Sequence, residues 1–563
     1  MIRRSSPRPD LPPKLGDRGP HGARTGSSAD SRYSIRSATS GAPFLLHLGP
    51  VGAFAVRQLA TSSSRSFAAK CCTVICPEAL PHAARWDQTM PNHILHGSVW
   101  ILITTFIATP LGCHPSTHGS SAGLCDVPVV LSHLQDRAFR DDTGEISTKS
   151  SLGSIDTTNE FFQNLGTNGR RCVTCHVPSR GWTITPGYLM EVFDRTRGGT
   201  CDDGQGFSAV FRPVDGATSP TADVSTLEAR RTAYKMLLSR GLIRVGLPIP
   251  PNAEFELYAV DDPYHYASAK ELSLFRRPLP TTNLKFDSTV MWDGREVQPG
   301  APVKFDLLSQ ANTATVTHAQ GALLSDAQTL SIVDFETTLA TAQIADLLAG
   351  RLDEDGALGG PAQIIVQPFH IGINDNFGDP VTGAAFSPII FGLYDQWATS
   401  TVAARRTIAR GQELFNSKPI IITGVSGIND EAAFGKPSSL IGTCGTCHDT
   451  PGGGNHSVVA PLNIGIASAA LRTADMPLYT LRNLATGETV QVTDPGRALI
   501  DGKWTHIGRF KGPMLRDLAV RAPYFHNGFA ADLEAVVEFY DTRFKIGLTK
   551  QEKADLAAFL RAL

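Results

Sequence analysis

The sequence predicts a mainly α fold in which two small helical domains are separated by irregular, loop-rich insertions, and three observations predict it. The chain ends on Thr549-Lys550-Gln551-Glu552, a capping box, followed by Leu556, Phe559, Leu560 and Leu563 at helical spacing. Two short amphipathic segments, NEFFQNLGTNGRRC up to Cys172 and IARGQELF from Ile408, each run toward a Gly-rich or polar loop. The middle of the chain is Pro-rich and shows little period of either kind.

Composition bounds the classes. With 563 residues, 42% of them hydrophobic, the chain has room for roughly two to four ordinary domains and ample apolar core. That excludes disorder and a polytopic membrane protein as overall descriptions. The net charge of -2, from 51 Lys and Arg against 53 Asp and Glu, offers no electrostatic case for nucleic acid as a partner.

The charge is unevenly spread. Residues 1–89 hold 12 Lys and Arg against 5 Asp and Glu, and are rich in Ser, Arg, Pro and Gly without a helical or strand period. They read as a disordered extension or a mis-assigned start, with Met90 a better beginning. Residues 90–125 read as a signal-like segment and linker. Val99–Leu111, VWILITTFIATPL, has the length of a secretory signal's apolar stretch and is short for a bilayer span. Basic residues nearby are few, and a buried strand or helix is the alternative. The expected location is periplasmic or otherwise exported. Cys113 follows Leu111-Gly112 as a lipoprotein cysteine would, although Pro110 departs from the usual pattern, so a membrane anchor through Cys113 is a further expectation. In an oxidising compartment Cys125 and Cys201 are free to pair.

Cys172-Val173-Thr174-Cys175-His176 and Cys444-Gly445-Thr446-Cys447-His448 are both C-x-x-C-H. Two thiols on one turn add to the two vinyl groups of a haem, and the adjacent imidazole reaches the iron as proximal ligand. The alternatives are a zinc site made of two C-x-x-C halves and thioredoxin-like redox motifs; zinc has no need of a His directly after both second cysteines. The expected cofactors are therefore two covalently bound haem c groups. The fold class is then mainly α, with two cytochrome c-type haem domains and irregular loop-rich insertions. In the second module the loop from Asn416 to Thr443 is unusually long.

Near the C-terminus, GRFKGPMLRDLAVRAPYFHNGFAADLEAVVEFY carries K-x-P-x-L-R, then A-P-Y-F-H-x-G, then L-E-x-V-V-x-F-Y. MWDGRE, from Met291, is similar to an F-W-D-G-R segment. With the paired C-x-x-C-H motifs in this order, the chain from about Phe161 to Leu563 resembles the bacterial dihaem cytochrome c peroxidase superfamily, including its methylamine-utilisation (MauG-like) branch. Residues 191–275 and 416–443 have no counterpart.

The resemblance implies a first, peroxidatic haem domain over 126–400 with insertions, where peroxide binds opposite His176. It implies a second, electron-transfer haem domain over 401–563 with His448 as proximal ligand. His526, of the A-P-Y-F-H segment, joins the cofactor-binding set. Trp292 would carry electrons between the haems; an ordinary core indole is the alternative. The sixth ligand of the second haem is a Met in peroxidases proper and a Tyr in the MauG-like branch, fourteen residues after the A-P-Y-F-H histidine. Here that position is Tyr540. Only Met476 and Met514 follow His448, neither at the matching place, and Tyr540 shares an apolar helix face with Leu533, Val536 and Val537. A plain core Tyr is the alternative there.

Two departures stand out. Gln310 takes the place of a family Gln, but the family's acid–base Glu is missing and His318 stands in its region. A neutral imidazole can move a proton between the two peroxide oxygens; it can equally ligate the iron or lie at the surface. The family's interdomain calcium site is also unmatched, because its Thr becomes Arg521 and its Asn has no counterpart near Pro278. A bound calcium ion is therefore doubtful, with the Arg521 guanidinium a candidate to fill its place.

The expected function is that of a dihaem c-type cytochrome oxidoreductase, peroxidase-like, reducing hydrogen peroxide at the first haem with electrons from the second. Its partners would be peroxide and a small electron-donor protein, a cytochrome c or a cupredoxin. The alternatives are an electron-transfer cytochrome without peroxidase activity and MauG-like oxidation of a partner protein substrate.

Overall fold

A computed structural model describes residues 125–298 and 301–563. The extension 1–89, the signal-like stretch Val99–Leu111 and Cys113 lie outside the described residues. In chain order the elements are β1 (Ala138–Arg140), β2 (Gly144–Ser150), α1 (Cys172–Cys175), α2 (Pro186–Arg195), α3 (Leu227–Ala233) and α4 (Lys235–Arg240). Next come β3 (Ile243–Leu247), β4 (Phe255–Asp261), β5 (Leu272–Arg276), α5 (Val303–Thr317), α6 (Asp326–Thr337), β6 (Leu339–Asp346), β7 (Gly350–Arg351) and α7 (Pro361–Ile365). The remainder holds α8 (Ala403–Ser417), β8 (Ile420–Ile422), β9 (Leu440–Gly442), β10 (Leu478–Asn483), β11 (Thr489–Val492), α9 (Ala498–Asp501), α10 (Leu533–Phe544) and α11 (Lys550–Arg561).

The expectation of a mainly α fold is wrong. Helices take 31% of the described residues and strands 15%. The strands form antiparallel sheets in the orders β1-β2-β6-β7, β11-β10-β4, β3-β5 and β8-β9. The physical reason lies in segments read as loop. In β10, Tyr479, Leu481 and Asn483 are buried while Thr480 and Arg482 between them are not, the period of two of a half-buried strand. Tyr479 and Leu481 share a core with Phe255, Leu272, Leu274 and Val492. Each strand is too short to stand out from the proline around it, and β4 and β10 pair across a long sequence separation, on either side of residue 400.

Among the helices, local signals fared unequally. Thr549 Oγ1 accepts from the Glu552 N–H at 3.2 Å and Glu552 Oε2 accepts from the Thr549 N–H at 2.8 Å, closing the capping box of α11. Leu556, Phe559, Leu560 and Leu563 are buried as their spacing requires. Ile408–Phe415 falls inside α8, which α11 crosses closely, since a side chain at Gly411 would collide with the Asp555 carbonyl. The segment before Cys172 is different: only Glu160–Phe162 forms a single 3-10 turn, capped by Asn159, and Phe161 and Phe162 are buried by it. The long 416–443 loop contains the β8–β9 hairpin.

Cys125 and Cys201 are disulfide-bonded with their Cα atoms 5.7 Å apart. Among the described residues no helix is long and apolar enough to cross a membrane.

Candidate functional site

The two C-x-x-C-H segments adopt the same local design. In each, the Thr before the second Cys accepts a hydrogen bond from the N–H of the residue preceding the first: Arg171 to Thr174 Oγ1 at 3.0 Å, and Thr443 to Thr446 Oγ1 at 2.9 Å. In each, the His turns its Nδ1 to the carbonyl six residues on. His176 donates to Trp182 O at 3.1 Å and His448 to Gly454 O at 2.6 Å. A ring whose Nδ1–H is committed to a carbonyl offers Nε2 to a metal, the usual outer-shell arrangement of a ligating His. Burial pushes both imidazoles down to about 4, so both are neutral and able to ligate at ordinary pH. The four cysteines are unpaired thiols.

The two motifs line different cavities, so the four cysteines do not converge on one zinc site. The first cavity, about 1380 Å³ with its mouth included, is lined by Cys172, Cys175 and His176. The second, about 1730 Å³ on the same measure, is lined by Cys444, Cys447 and His448. Paired thiols, an oriented neutral imidazole and a mostly apolar lining fit a covalently attached haem at each place.

The first cavity also carries polar side chains. Gln310 and His318 lie two turns apart on one face of α5 with Ala314 between them, the i, i+4, i+8 rule of a helix. His318, the C-cap of α5, has its Nδ1 2.5 Å from Asp215 Oδ2. Asp215 Oδ1 is 2.5 Å from Arg170 Nη1, and both of these side chains are buried. Burial opposes the Asp215 charge, but Arg170 and His318 hold its carboxyl below the usual carboxylate range. Glu336, on α6, also lines this cavity, and burial pushes it up to about 8. Burial, with the Glu336 charge second, pushes the Cys172 thiol up.

The second cavity is walled mostly by apolar side chains. Leu533, Val536, Val537, Tyr540 and Phe544 line it from α10, one face of the helix as the sequence indicated. Tyr540 packs among Phe525, Phe539 and Phe544. Burial, then the nearby cysteines, pushes its phenol up. Met514 lines the same cavity; Met476 is buried in a separate cluster with Met236 and Phe275.

Trp292 lines both cavities, as do Arg277, Pro278, Leu279, Pro280 and Lys511. Its indole N–H donates to Arg277 O at 2.8 Å. The next residue, Asp293, is fully buried between Arg276 at 2.5 Å and Arg295 at 3.1 Å, and Arg276 also pairs with Asp494 at 2.7 Å. This network fixes the W-D-G-R turn. His526 lines the second cavity only, stacks on Phe510 at 3.9 Å and meets Trp292 edge-on at 6.2 Å. Arg521 is buried, donates to Met514 O at 2.9 Å and lies 3.4 Å from Asp517 Oδ1. Among the described residues no group of three or more His, Cys, Asp or Glu stands together as a metal cage.

Sequence reasoning missed three members of the first cavity. Arg170 sits two residues before Cys172, within the segment read as a helix, and Glu336 lies one turn beyond Ile332; neither carries a motif of its own. Asp215 lies in 191–275, the segment without a counterpart; this segment walls the cavity with Asp215, Ile243 and Val245.

No family model matches the chain. It is 33% identical over 136 residues to the cytochrome-c peroxidase IdrP2 of Denitromonas iodatirespirans, covering 22% of this chain and 36% of that protein. It is 43% identical over 68 residues to the cytochrome-c peroxidase IdrP1 of the same organism, covering 10% of this chain and 18% of that protein. The chain thus spans about a third or less of the length of these curated relatives. A solved MauG-like protein associated with microbial copper homeostasis aligns at 18% identity over 53% of this chain and 75% of that one, with a TM-score of 0.27, too slight a likeness to carry an argument.

Proposed function

We propose that this chain, similar over part of its length to cytochrome-c peroxidases, is an exported oxidoreductase that reduces hydrogen peroxide in the first cavity with electrons entering at the second. The observation that carries the reading is the contrast between two cavities with the same C-x-x-C-H base. Only the first is lined by His318 and Gln310, and Trp292 lines both.

A haem held by Cys172, Cys175 and His176, and another by Cys444, Cys447 and His448, would each supply an iron able to exchange single electrons. The residues do the rest. Peroxide takes up two electrons and two protons to give two waters. The electrons come one at a time from a small reduced cytochrome c or cupredoxin. His318 is the proton carrier, taking a proton from one peroxide oxygen and returning it to the other, with the Gln310 amide as hydrogen-bond partner of the bound peroxide. Trp292, held by its hydrogen bond to Arg277 and by the buried Asp293, is the aromatic group between the cavities. Tyr540 would join His448 in holding the second haem, its neighbours Phe525, Phe539 and Phe544 keeping water away from that side. The Cys125–Cys201 disulfide supports export to an oxidising compartment.

The test is stoichiometric. Holoprotein given peroxide and a reduced small cytochrome c should oxidise two donor equivalents per peroxide consumed. Donor oxidation that does not depend on peroxide, or none at all, would overturn the reading.

A further inference from the structure

We infer that Asp215 is the positioning residue of His318, holding it as the Nδ1–H tautomer with Nε2 turned into the first cavity to accept a proton from peroxide. This rests on the peroxidase reading above and assigns a role to a segment with no counterpart in the family.

The geometry is specific. Asp215 Oδ2 is 2.5 Å from His318 Nδ1, a charge-assisted separation. An ionised carboxylate can only accept, so the proton of that bond belongs to Nδ1, and in the neutral ring the lone pair is left on Nε2. The carboxylate is itself held. Arg170 reaches Asp215 Oδ1 at 2.5 Å through Nη1, and the same nitrogen donates to the His318 backbone carbonyl at 3.1 Å. Its Nε donates to Ala209 O at 2.9 Å and its Nη2 to Val210 O at 3.0 Å. Asn168 Nδ2 donates to the His318 carbonyl as well, at 2.8 Å. One buried guanidinium thus ties together the strand of chain entering Cys172, the loop leading to Asp215 and the end of α5.

A carboxylate used only to neutralise Arg170 would not need its second oxygen on a cavity-lining imidazole. Paired with His318, it fixes the ring's orientation, selects the tautomer and stabilises the imidazolium formed when Nε2 takes up the proton, as the buried Asp of a Ser-His-Asp triad does. The ring then returns the proton to the second oxygen and ends neutral, so this proton transfer balances, while the two electrons and two further protons that take both oxygens to water come from the reduced donor and from solvent.

The first measurement is a neutron crystal structure of the wild-type holoprotein, which does not depend on activity. Deuterium on His318 Nδ1, with Nε2 open to the cavity, is expected. Deuterium on Nε2 alone, or Nε2 bonded to iron, overturns the inference. The second is Asp215→Asn, which keeps the shape and loses the charge. With haem content unchanged, its kcat with peroxide should fall about 10²-fold or more while KM for the electron donor holds. An unchanged kcat also overturns the inference. If Asp215→Asn leaves Arg170 uncompensated and fails to fold, the neutron result alone decides. The two readings fail separately: wild-type protein that consumes no peroxide sinks the peroxidase function, whereas turnover with His318 in the other tautomer sinks only the role of Asp215.

Discussion

The two cavities begin alike and end differently. Both rest on a C-x-T-C-H turn, with Thr174 or Thr446 closing it and the His committed to a carbonyl six residues on. The rest of the lining diverges. Around the first, Gln310, His318, Asp215, Arg170 and Glu336 bring titratable or hydrogen-bonding groups into a buried space. Around the second, Leu533, Val536, Val537, Phe544 and Leu556 form an apolar wall, with Tyr540 and Met514 among the side chains there able to act as a sixth ligand. On the proposed reading the same base serves two tasks. A site that moves protons needs oriented polar groups, and one that only passes electrons needs a closed shell.

The largest expected effect separates the bases themselves. Cys172→Ser with Cys175→Ser, and Cys444→Ser with Cys447→Ser, should each lower the intact mass of the holoprotein by one haem, and the first pair alone should abolish reaction with peroxide. A mass unchanged in either double variant would break the pairing of motif with haem. Next, His318→Ala should slow reaction with peroxide by roughly 10²–10⁴-fold in stopped-flow mixing while leaving haem content intact. A faster reaction would instead identify His318 as a ligand whose loss opens the site.

Glu336 sharpens the comparison through stability. Burial raises its folded value to about 8, so the folded chain holds that proton more tightly than the unfolded one. Stability is then undiminished below the ordinary glutamate range and is lost as pH rises toward about 8. Glu336→Gln should consequently gain on the parent across that window, on the order of several kcal/mol at its upper end, measured by denaturant unfolding at a series of pH values. An advantage that does not grow with pH would count against a buried neutral Glu336. The smallest rate effect belongs to the second cavity: Tyr540→Phe should change the ferric optical spectrum and leave the bimolecular step with peroxide nearly as it was. If Met514→Leu changes the spectrum and Tyr540→Phe does not, the axial partner is Met514.

What was legible in the sequence follows from how local each signal is. The C-x-x-C-H turns, the capping box at Thr549 and the α10 face bearing Tyr540 are set by residues within a few positions of one another, and all can be read from spacing. His318 was visible as the titratable side chain of its stretch, but its partner Asp215 lies 103 residues away in the chain and carries no motif. The strands failed for a related reason. β4 and β10 stabilise each other only after the chain has folded, so neither shows more than a few alternating residues alone. The short segment before Cys172 misled because Phe161 and Phe162 are adjacent, and a single 3-10 turn already buries both.

On the proposed reading a haem in the first cavity would keep a free position for peroxide, whereas one in the second would be held from both sides by protein. An EPR spectrum of the oxidised holoprotein tests it most directly. The predicted result is one high-spin ferric haem, with an open position opposite His176, and one low-spin ferric haem bearing two axial protein ligands. Two low-spin haems of equal intensity in the wild-type protein would contradict it.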